Sequence, residues 1–151
     1  MKRHASAMVS LIICIICAAA LLVLLFTMPD FFRWFYLMMH GQAGYAGSVV
    51  RTVVVAFYCC APFAAAALAM MIVILRNVLR DQLFIRQNVT CFRWISWCCY
   101  AVMVITGVGT AYYFSLLVVA FTMGVVGTLL RVVKNLVQAA VELQEENDLT
   151  I

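Results

Sequence analysis

Residues 94–130 read WISWCCYAVMVITGVGTAYYFSLLVVAFTMGVVGTLL, a stretch of 37 residues without a charged side chain. As one helix it would be about 55 Å long at 1.5 Å per residue, nearly twice the thickness of a ~30 Å hydrocarbon core. We therefore expect a hairpin of two spans, at about 94–109 and 113–133. Paired glycines and interfacial aromatics suit a tight turn, so we place it near Gly107 and Gly109 or just after them at Tyr112 and Tyr113.

The rest of the chain shares this apolar character. Of its 151 residues, 68% are hydrophobic and 11% are charged, and the mean hydropathy is +1.10. Soluble domains are closer to about 45–50% apolar. A chain of this size leaves much of its surface exposed, so a single soluble core could not hide the excess. The composition therefore predicts an integral membrane protein.

Two further stretches are long enough to span, at about 6–28 and 52–75. The chain begins like a signal peptide, with Lys2 and Arg3 before an apolar run. That run, from Ala5 to Met28, is longer than the ~7–15-residue apolar region of a signal peptide, so we expect it to be retained. Together the spans predict an all-α integral membrane four-helix bundle, built from two transmembrane hairpins as a single domain, 1–151.

The basic residues indicate a topology. In the four-span arrangement only Arg33 and Arg51 lie on one side of the membrane. The other eight lie on the opposite side: Lys2, Arg3, Arg76, Arg80, Arg86, Arg93, Arg131 and Lys134. By the positive-inside rule, both termini and the connection 76–93 are predicted to be cytoplasmic. The net charge of +4 then reflects topology, and we expect no direct contact with nucleic acid.

Two segments outside the spans have distinctive compositions. In the outer segment 29–48, Pro29 and Asp30 are expected to end the first span, and the following aromatic cluster is typical of a segment lying in the membrane interface. In the tail 134–151, apolar residues recur at helical spacing. We therefore expect the fourth helix to extend into the cytoplasm, to about Glu145.

The sequence offers little for catalysis or metal binding. Its seven cysteines lie within spans or near the inner face, and adjacent cysteines on a helix point in different directions. We interpret them as small packing residues. No ionisable group lies well inside a span, although proton-coupled transport and intramembrane hydrolysis both need one. We expect no enzyme activity, no cofactor and no metal.

Small and helix-bending residues are predicted to organise the packing. Pro62 lies mid-span among alanines, and Gly124 and Gly127 lie in the fourth span. Proline kinks a helix, while small residues let neighbouring helices approach closely. We interpret these positions as a packing seam within a bundle or a homo-oligomer; a gate is the alternative.

The acidic end of the chain suggests docking. Carboxylates near a helix C-terminus oppose the helix dipole, and an anionic inner leaflet would repel them. We expect at least one of Glu142, Glu145, Glu146 and Asp148 to lie near one of Arg76, Arg80, Arg86 and Arg93. The apolar Leu149 and Ile151 also favour a docked end; a solvated acidic end is the alternative.

The ending ELQEENDLTI, residues 142–151, resembles the C-terminal signature of small four-span bacterial membrane proteins grouped as domain of unknown function 2975. The loop residues Phe84, Asn88, Val89, Arg93 and Ile95 match the pattern of that family. The family often places a glycine before the phenylalanine, where this chain has Asp81-Gln82-Leu83. The resemblance implies a bacterial inner-membrane location and, as a partner, a small helix-turn-helix regulator encoded nearby.

These observations predict a non-enzymatic, regulatory membrane protein. Its cytoplasmic loop and tail would bind a partner such as a small transcriptional regulator, through the Arg residues above with Phe84, Asn88, the four tail carboxylates and Leu149. A small transporter or channel subunit, acting as an oligomer, is the alternative.

Overall fold

The computed structural model describes residues 2–40, 46–80, 82 and 85–149. They form four helices: α1 (Lys2–His40), α2 (Ala46–Leu79), α3 (Arg86–Gly109) and α4 (Leu116–Leu149). Each contains a stretch long and apolar enough to cross a membrane, and the described residues include no strand. The predicted all-α, four-helix membrane fold is confirmed, and α4 continues well past the apolar stretch to Leu149.

Each helix packs against the next one in the chain. α1 contacts α2, α2 contacts α3 and α3 contacts α4, whereas among the described residues no contact joins α1 to α3 or α4, or α2 to α4. The bundle is therefore open between its first and last helices. Large apolar side chains cover the outer surface, with Phe26 83% exposed on α1 and Phe121 72% exposed on α4. Lipid is the solvent that suits such a surface.

The turn between α3 and α4 occupies residues 110–115. It follows Gly109 directly, and the backbone N–H groups of Tyr112 and Tyr113 both donate to the Gly109 carbonyl, each at 3.1 Å. A Cβ on Gly109 would lie 2.7 Å from Cδ1 of Leu116, so the side chain of Leu116 closes over the glycine. The turn thus uses both the glycines and the tyrosines that the sequence indicated.

Glycines set the distance between α3 and α4. Gly127 is buried, and a Cβ there would lie 3.3 Å from both Cβ of Cys99 and Cε1 of Tyr100. At Gly124 a Cβ would come within 2.8 Å of the Met103 sulfur. Small residues on α4 therefore let the two backbones approach closely.

Pro62 lies inside α2 with its ring exposed. Its neighbour Ala61 is buried, only 7% exposed. The small residue beside the proline, rather than the proline itself, makes the packing contact at this level of α2.

The first helix does not end where the sequence suggested. The sequence placed the end of the first span and the start of a new short helix at Pro29 and Asp30, but α1 continues through both residues to His40. Proline has no N–H, so Pro29 cannot donate a hydrogen bond to the carbonyl of Leu25 one turn earlier. The hydroxyl of Tyr58, on α2, donates to that carbonyl at 2.6 Å. A neighbouring helix thus replaces the bond that the proline removes, which is how membrane helices tolerate proline.

The aromatic cluster after Pro29 forms part of this long helix. Over 39 residues α1 is about 58 Å long, well beyond the thickness of a hydrocarbon core. Phe31 contacts both Trp34 and Phe35, with ring centroids 6.4 and 6.3 Å apart. The expected outer segment 29–48 is helical up to residue 40, and residues 41–45 lie outside the described part of the chain.

We predict that the Tyr58–Leu25 hydrogen bond compensates for Pro29. Tyr58→Phe should lower the free energy of unfolding in detergent by about 1 kcal/mol, the typical value of such a bond. Pro29→Ala restores an N–H that can donate to Leu25, so Tyr58→Phe should then cost much less. Denaturant unfolding of the four proteins of this double-mutant cycle measures the difference. An equal cost in both backgrounds would contradict the assignment.

We predict that Gly127 is required for close α3–α4 packing. Gly127→Leu should separate the two helices, because Cys99 and the ring of Tyr100 leave no room for the added side chain. The matched control is Val126→Leu, one residue away on a more exposed part of α4. A crosslinking or electron-spin distance between α3 and α4 should increase only in the glycine variant.

Candidate functional site

Two buried asparagines hold the connection between α2 and α3. The side-chain Nδ2 of Asn77 donates to Oδ1 of Asn88 at 2.7 Å, and Nδ2 of Asn88 donates to the carbonyl of Gln82 at 3.1 Å. The N–H of Gln82 donates in turn to the carbonyl of Asn77 at 2.9 Å. Asn88 is 1% exposed and Asn77 is 8% exposed. This network fixes the end of α2, the connection and the start of α3 relative to one another.

The connection between α2 and α3 is short. The second helix was expected to continue into the segment 76–93, through Arg80, and α2 does continue to Leu79; α3 then begins at Arg86, so most of the segment is helical. Ile85 occupies the N-cap position of α3, where its backbone carbonyl accepts a hydrogen bond from the N–H of Asn88 at 3.0 Å and its side chain makes no cap hydrogen bond. The Asn77–Asn88 pair joins the end of α2 to the first turn of α3. Arg86 and Arg93 consequently lie on one rigid element.

Arg86 and Glu145 form a two-point ion pair between α3 and α4. Nε of Arg86 donates to Oε1 of Glu145 at 3.0 Å, and NH2 of Arg86 donates to Oε2 at 2.7 Å. Both side chains are accessible, 80% exposed for Arg86 and 46% for Glu145. We call this contact the clasp. It connects the start of α3 to the acidic end of α4, 59 residues further along the chain.

The antiparallel arrangement explains the sign of the charges in the clasp. Arg86 lies at the N-terminus of α3 and Glu145 in the last turns of α4, positions where each charge opposes the dipole of its own helix. Packing places each charge beside the favourable end of the other helix. No acidic residue occupies the first turn of α3, so Glu145 supplies the negative charge there.

The hydrogen bonds from Arg86 lower the pKa of the Glu145 carboxyl and raise the pKa of the guanidinium. A lowered carboxyl pKa means that the contribution of the clasp to stability is present at neutral pH. It is lost only as the pH falls through that lowered value, when Glu145 becomes protonated. Because both groups are solvent-accessible, salt screens the clasp and its contribution to stability is small.

A polar notch of about 190 Å³ lies beside the clasp. Val89 and Val141, 8% and 4% exposed, form its buried apolar part. Its rim carries charge and hydrogen-bonding groups from both helices: Arg86, Thr90, Arg93, Gln138 and Glu142. Nε2 of Gln138 donates to Oε1 of Glu142 at 3.0 Å, which orients that carboxylate. We call the clasp and this notch together the clasp surface.

The structure brings together only part of the residue set that the sequence indicated. Arg86, Arg93, Glu142 and Glu145 meet at the clasp surface. Arg76, Arg80 and Glu146 are exposed, and Asn88 is buried below as a structural residue. Phe84 and the side chains of Asp148 and Leu149 lie outside the described part of the chain.

Sequence reasoning missed two contributors to this end of the molecule, Asn77 and Val141, and expected the hydroxyl of Ser96 to be satisfied by its own helix backbone. Asn77 was overlooked, although an amide next to Arg76 in an apolar helix is an available signal. Val141 is the most buried apolar side chain of the described residues, which periodicity alone does not distinguish from other tail positions. Ser96 is fully buried, and its hydroxyl has no hydrogen-bond partner among the described residues.

The described residues contain no cluster of three or more His, Cys, Asp or Glu side chains able to hold a metal ion. All seven cysteines are present as thiols. Cys98 is buried in α3, and Cys99 packs against the Gly127 position of α4. Cys99 therefore serves in the packing of α3 against α4, as a small apolar side chain would.

The fold and this polar end define a small four-helix membrane protein with a salt-bridged helical extension. The model of the family described as protein of unknown function (DUF2975) matches residues 3–151. The chain belongs to this family. Neither the curated proteins nor the solved structures include a significant match.

We predict opposite effects for the two most buried polar residues. Asn88→Ala removes the partner of Asn77 and should lower the free energy of unfolding by about 2 kcal/mol, because a buried amide is left unsatisfied. Ser96→Ala removes a buried hydroxyl without a partner in the described structure and should leave stability unchanged or increase it. Denaturant unfolding in detergent measures both; a loss of stability in Ser96→Ala would reveal a partner for the hydroxyl.

Proposed function

We propose that the protein is a non-enzymatic regulatory component of the bacterial inner membrane. In this proposal both termini and the α2–α3 connection lie in the cytoplasm, as the distribution of Lys and Arg suggests. The clasp surface and the end of α4 bind a cytoplasmic protein. The observation that carries the proposal is the clasp, because it combines α3 and α4 into one charged surface beyond the apolar stretches.

The end of α4 has the chemistry of a contact surface. Leu143 is 61% exposed among the carboxylates Glu142, Glu145 and Glu146. In this proposal Leu143 supplies apolar contact to the partner, and the surrounding carboxylates supply selectivity. A partner with a basic surface around an apolar spot would be complementary.

A small helix-turn-helix regulator is a suitable partner. DNA-binding proteins carry basic surfaces that neutralise phosphates, and the same surfaces attract clustered carboxylates. Binding at the end of α4 would hold such a regulator at the membrane and compete with DNA for its basic surface. The clasp leaves part of the acidic end accessible, because Glu142 is exposed and is not a member of the ion pair.

A transporter or channel subunit is the alternative function. The open arrangement of helices supports it in one respect, since α1 exposes large apolar side chains such as Phe26 and Met38 that a second copy could cover. Solute flux in vesicles containing the purified protein, lost on Pro62 substitution, would favour this alternative over the regulatory proposal.

We predict that the end of α4 contacts a DNA-binding protein in the cell. A photo-crosslinking residue replacing Leu143 should capture this protein, whereas the same residue replacing Leu129, equally exposed but within the apolar stretch, should not. Deletion of residues 142–151 should abolish the crosslinked complex and change expression of the genes that the partner controls. Unchanged expression and an unchanged level of the shortened protein would refute the regulatory proposal.

A charge exchange separates the clasp from the partner contact. Arg86→Glu and Glu145→Arg each break the clasp, and the double variant restores it with reversed charges. If the clasp only positions the surface, the double variant should recover crosslinking at position 143. Recovery in neither stability nor crosslinking would show that the two residues do not act as a pair.

A further inference from the structure

A second charged site lies closer to the membrane than the clasp surface. Arg93 and Arg131 are the charged residues that border the uncharged stretch 94–130 at its two ends. The α3–α4 hairpin brings them to one pocket of about 340 Å³, which also includes Lys134, Trp97 and Asn135. We call this the basic pocket. Three cations from two helices thus converge on one space.

The position of the basic pocket matches the headgroup region. The uncharged part of α3 is 16 residues long and that of α4 is 15, so each limb rises about 22–24 Å above the turn at 110–115. With the turn added, the hairpin fits a ~30 Å hydrocarbon core. Arg93 and Arg131 then lie where the hydrocarbon ends, and Trp97 lies at the level at which indole rings collect at membrane surfaces.

The described part of the chain places no counter-charge among the residues that line the basic pocket. Among the described residues, no carboxylate forms an ion pair with Arg93, Arg131 or Lys134. Arg131 instead lies over two rings, its guanidinium carbon 5.3 Å from the centroid of Trp97 and 5.6 Å from that of Tyr100. Stacking holds the planar guanidinium in place and leaves its N–H groups available at the edge.

An apolar cleft continues from the basic pocket. Arg93 and Trp97 line both spaces, and the cleft, of about 460 Å³, extends between α2 and α3 along Phe63, Trp94, Cys98 and Ala101. A cationic pocket joined to an apolar cleft at the membrane surface is complementary to an amphiphile with an anionic headgroup. A soluble phosphate compound without an acyl chain would leave the apolar cleft unfilled.

We propose that the basic pocket binds the phosphate group of an anionic phospholipid, with an acyl chain in the adjoining cleft. Arg131 and Lys134 supply the principal charges, and the stacking on Trp97 and Tyr100 positions the guanidinium before the lipid arrives. Guanidinium groups bind phosphate oxygens through two parallel N–H donors, which a zwitterionic lipid satisfies less well because its own cation competes. Among the described residues, this site shares Arg93 with the proposed partner surface, but Arg131 and Lys134 line the basic pocket and not the notch.

The test uses the full-length protein in detergent, with phosphatidylglycerol or phosphatidylcholine added and the bound lipid counted by native mass spectrometry. Arg93 also lines the notch, so the test variant is Arg131→Gln with Lys134→Gln. We expect the wild type to retain phosphatidylglycerol in preference to phosphatidylcholine. The double variant should bind phosphatidylglycerol about 25-fold more weakly, at about fivefold for each charge removed.

The matched control is Arg33→Gln with Arg51→Gln, which removes the same charge from exposed residues outside the basic pocket. The control variant should retain phosphatidylglycerol like the wild type. If it lost as much phosphatidylglycerol as the Arg131→Gln, Lys134→Gln variant, net charge alone would explain the binding and the proposed site would be overturned. Inorganic phosphate in excess should not displace the lipid, and displacement would assign the pocket to soluble phosphate compounds instead. Arg131→Lys keeps the positive charge and is the variant least expected to disturb folding. This variant should bind phosphatidylglycerol more weakly than the wild type, because the stacking of the guanidinium on Trp97 is lost. Unchanged binding would contradict the role of Trp97.

Discussion

The close packing of α3 against α4 is the constraint on which the rest of the structure depends. An uncharged stretch of 37 residues cannot remain one helix in a bilayer, and Gly124 and Gly127 allow its two limbs to approach closely. Residues that precede and follow the stretch therefore meet in pairs. Arg93 and Arg131 line one pocket, and Arg86, about two turns from Arg93 along α3, reaches Glu145, about four turns from Arg131 along α4. Both charged sites follow from one hairpin.

The polar groups are arranged by depth. Within the apolar part, hydroxyls such as Thr106, Thr122 and Thr128 donate to the carbonyl one turn earlier, so that the helices remain satisfied without water. Where Pro29 removes a donor, Tyr58 from the next helix supplies one. Beyond the apolar part lie the buried amide pair Asn77–Asn88 and then the exposed ion pair Arg86–Glu145. The order reflects the rising availability of water, which lowers the cost of each unpaired charge.

The sequence predicted the number of helices, the hairpin and its turn, because length and charge-free stretches are constrained directly by the bilayer. It was less successful at helix ends. Pro29 was expected to stop α1, but its consequence depends on Tyr58, 29 residues later in the chain. Near the start of α3 at Arg86, Asn88 likewise pairs in the interior with Asn77 from the preceding helix. Rules based on neighbouring residues cannot predict these partners, because the side chain that hydrogen-bonds to a free carbonyl or amide lies far away in the sequence.

The sequence by itself determined that this chain is an all-α membrane protein with charge at the ends of its helices, since these features follow from composition and spacing. It also indicated that tail carboxylates and loop arginines would face one another. Only the tertiary structure decided that the clasp joins Arg86 to Glu145, and that Arg131 lies over Trp97 and Tyr100. The physical reason is helix rotation: the side chains that meet across two packed helices depend on the contact at Gly127, which periodicity alone does not specify.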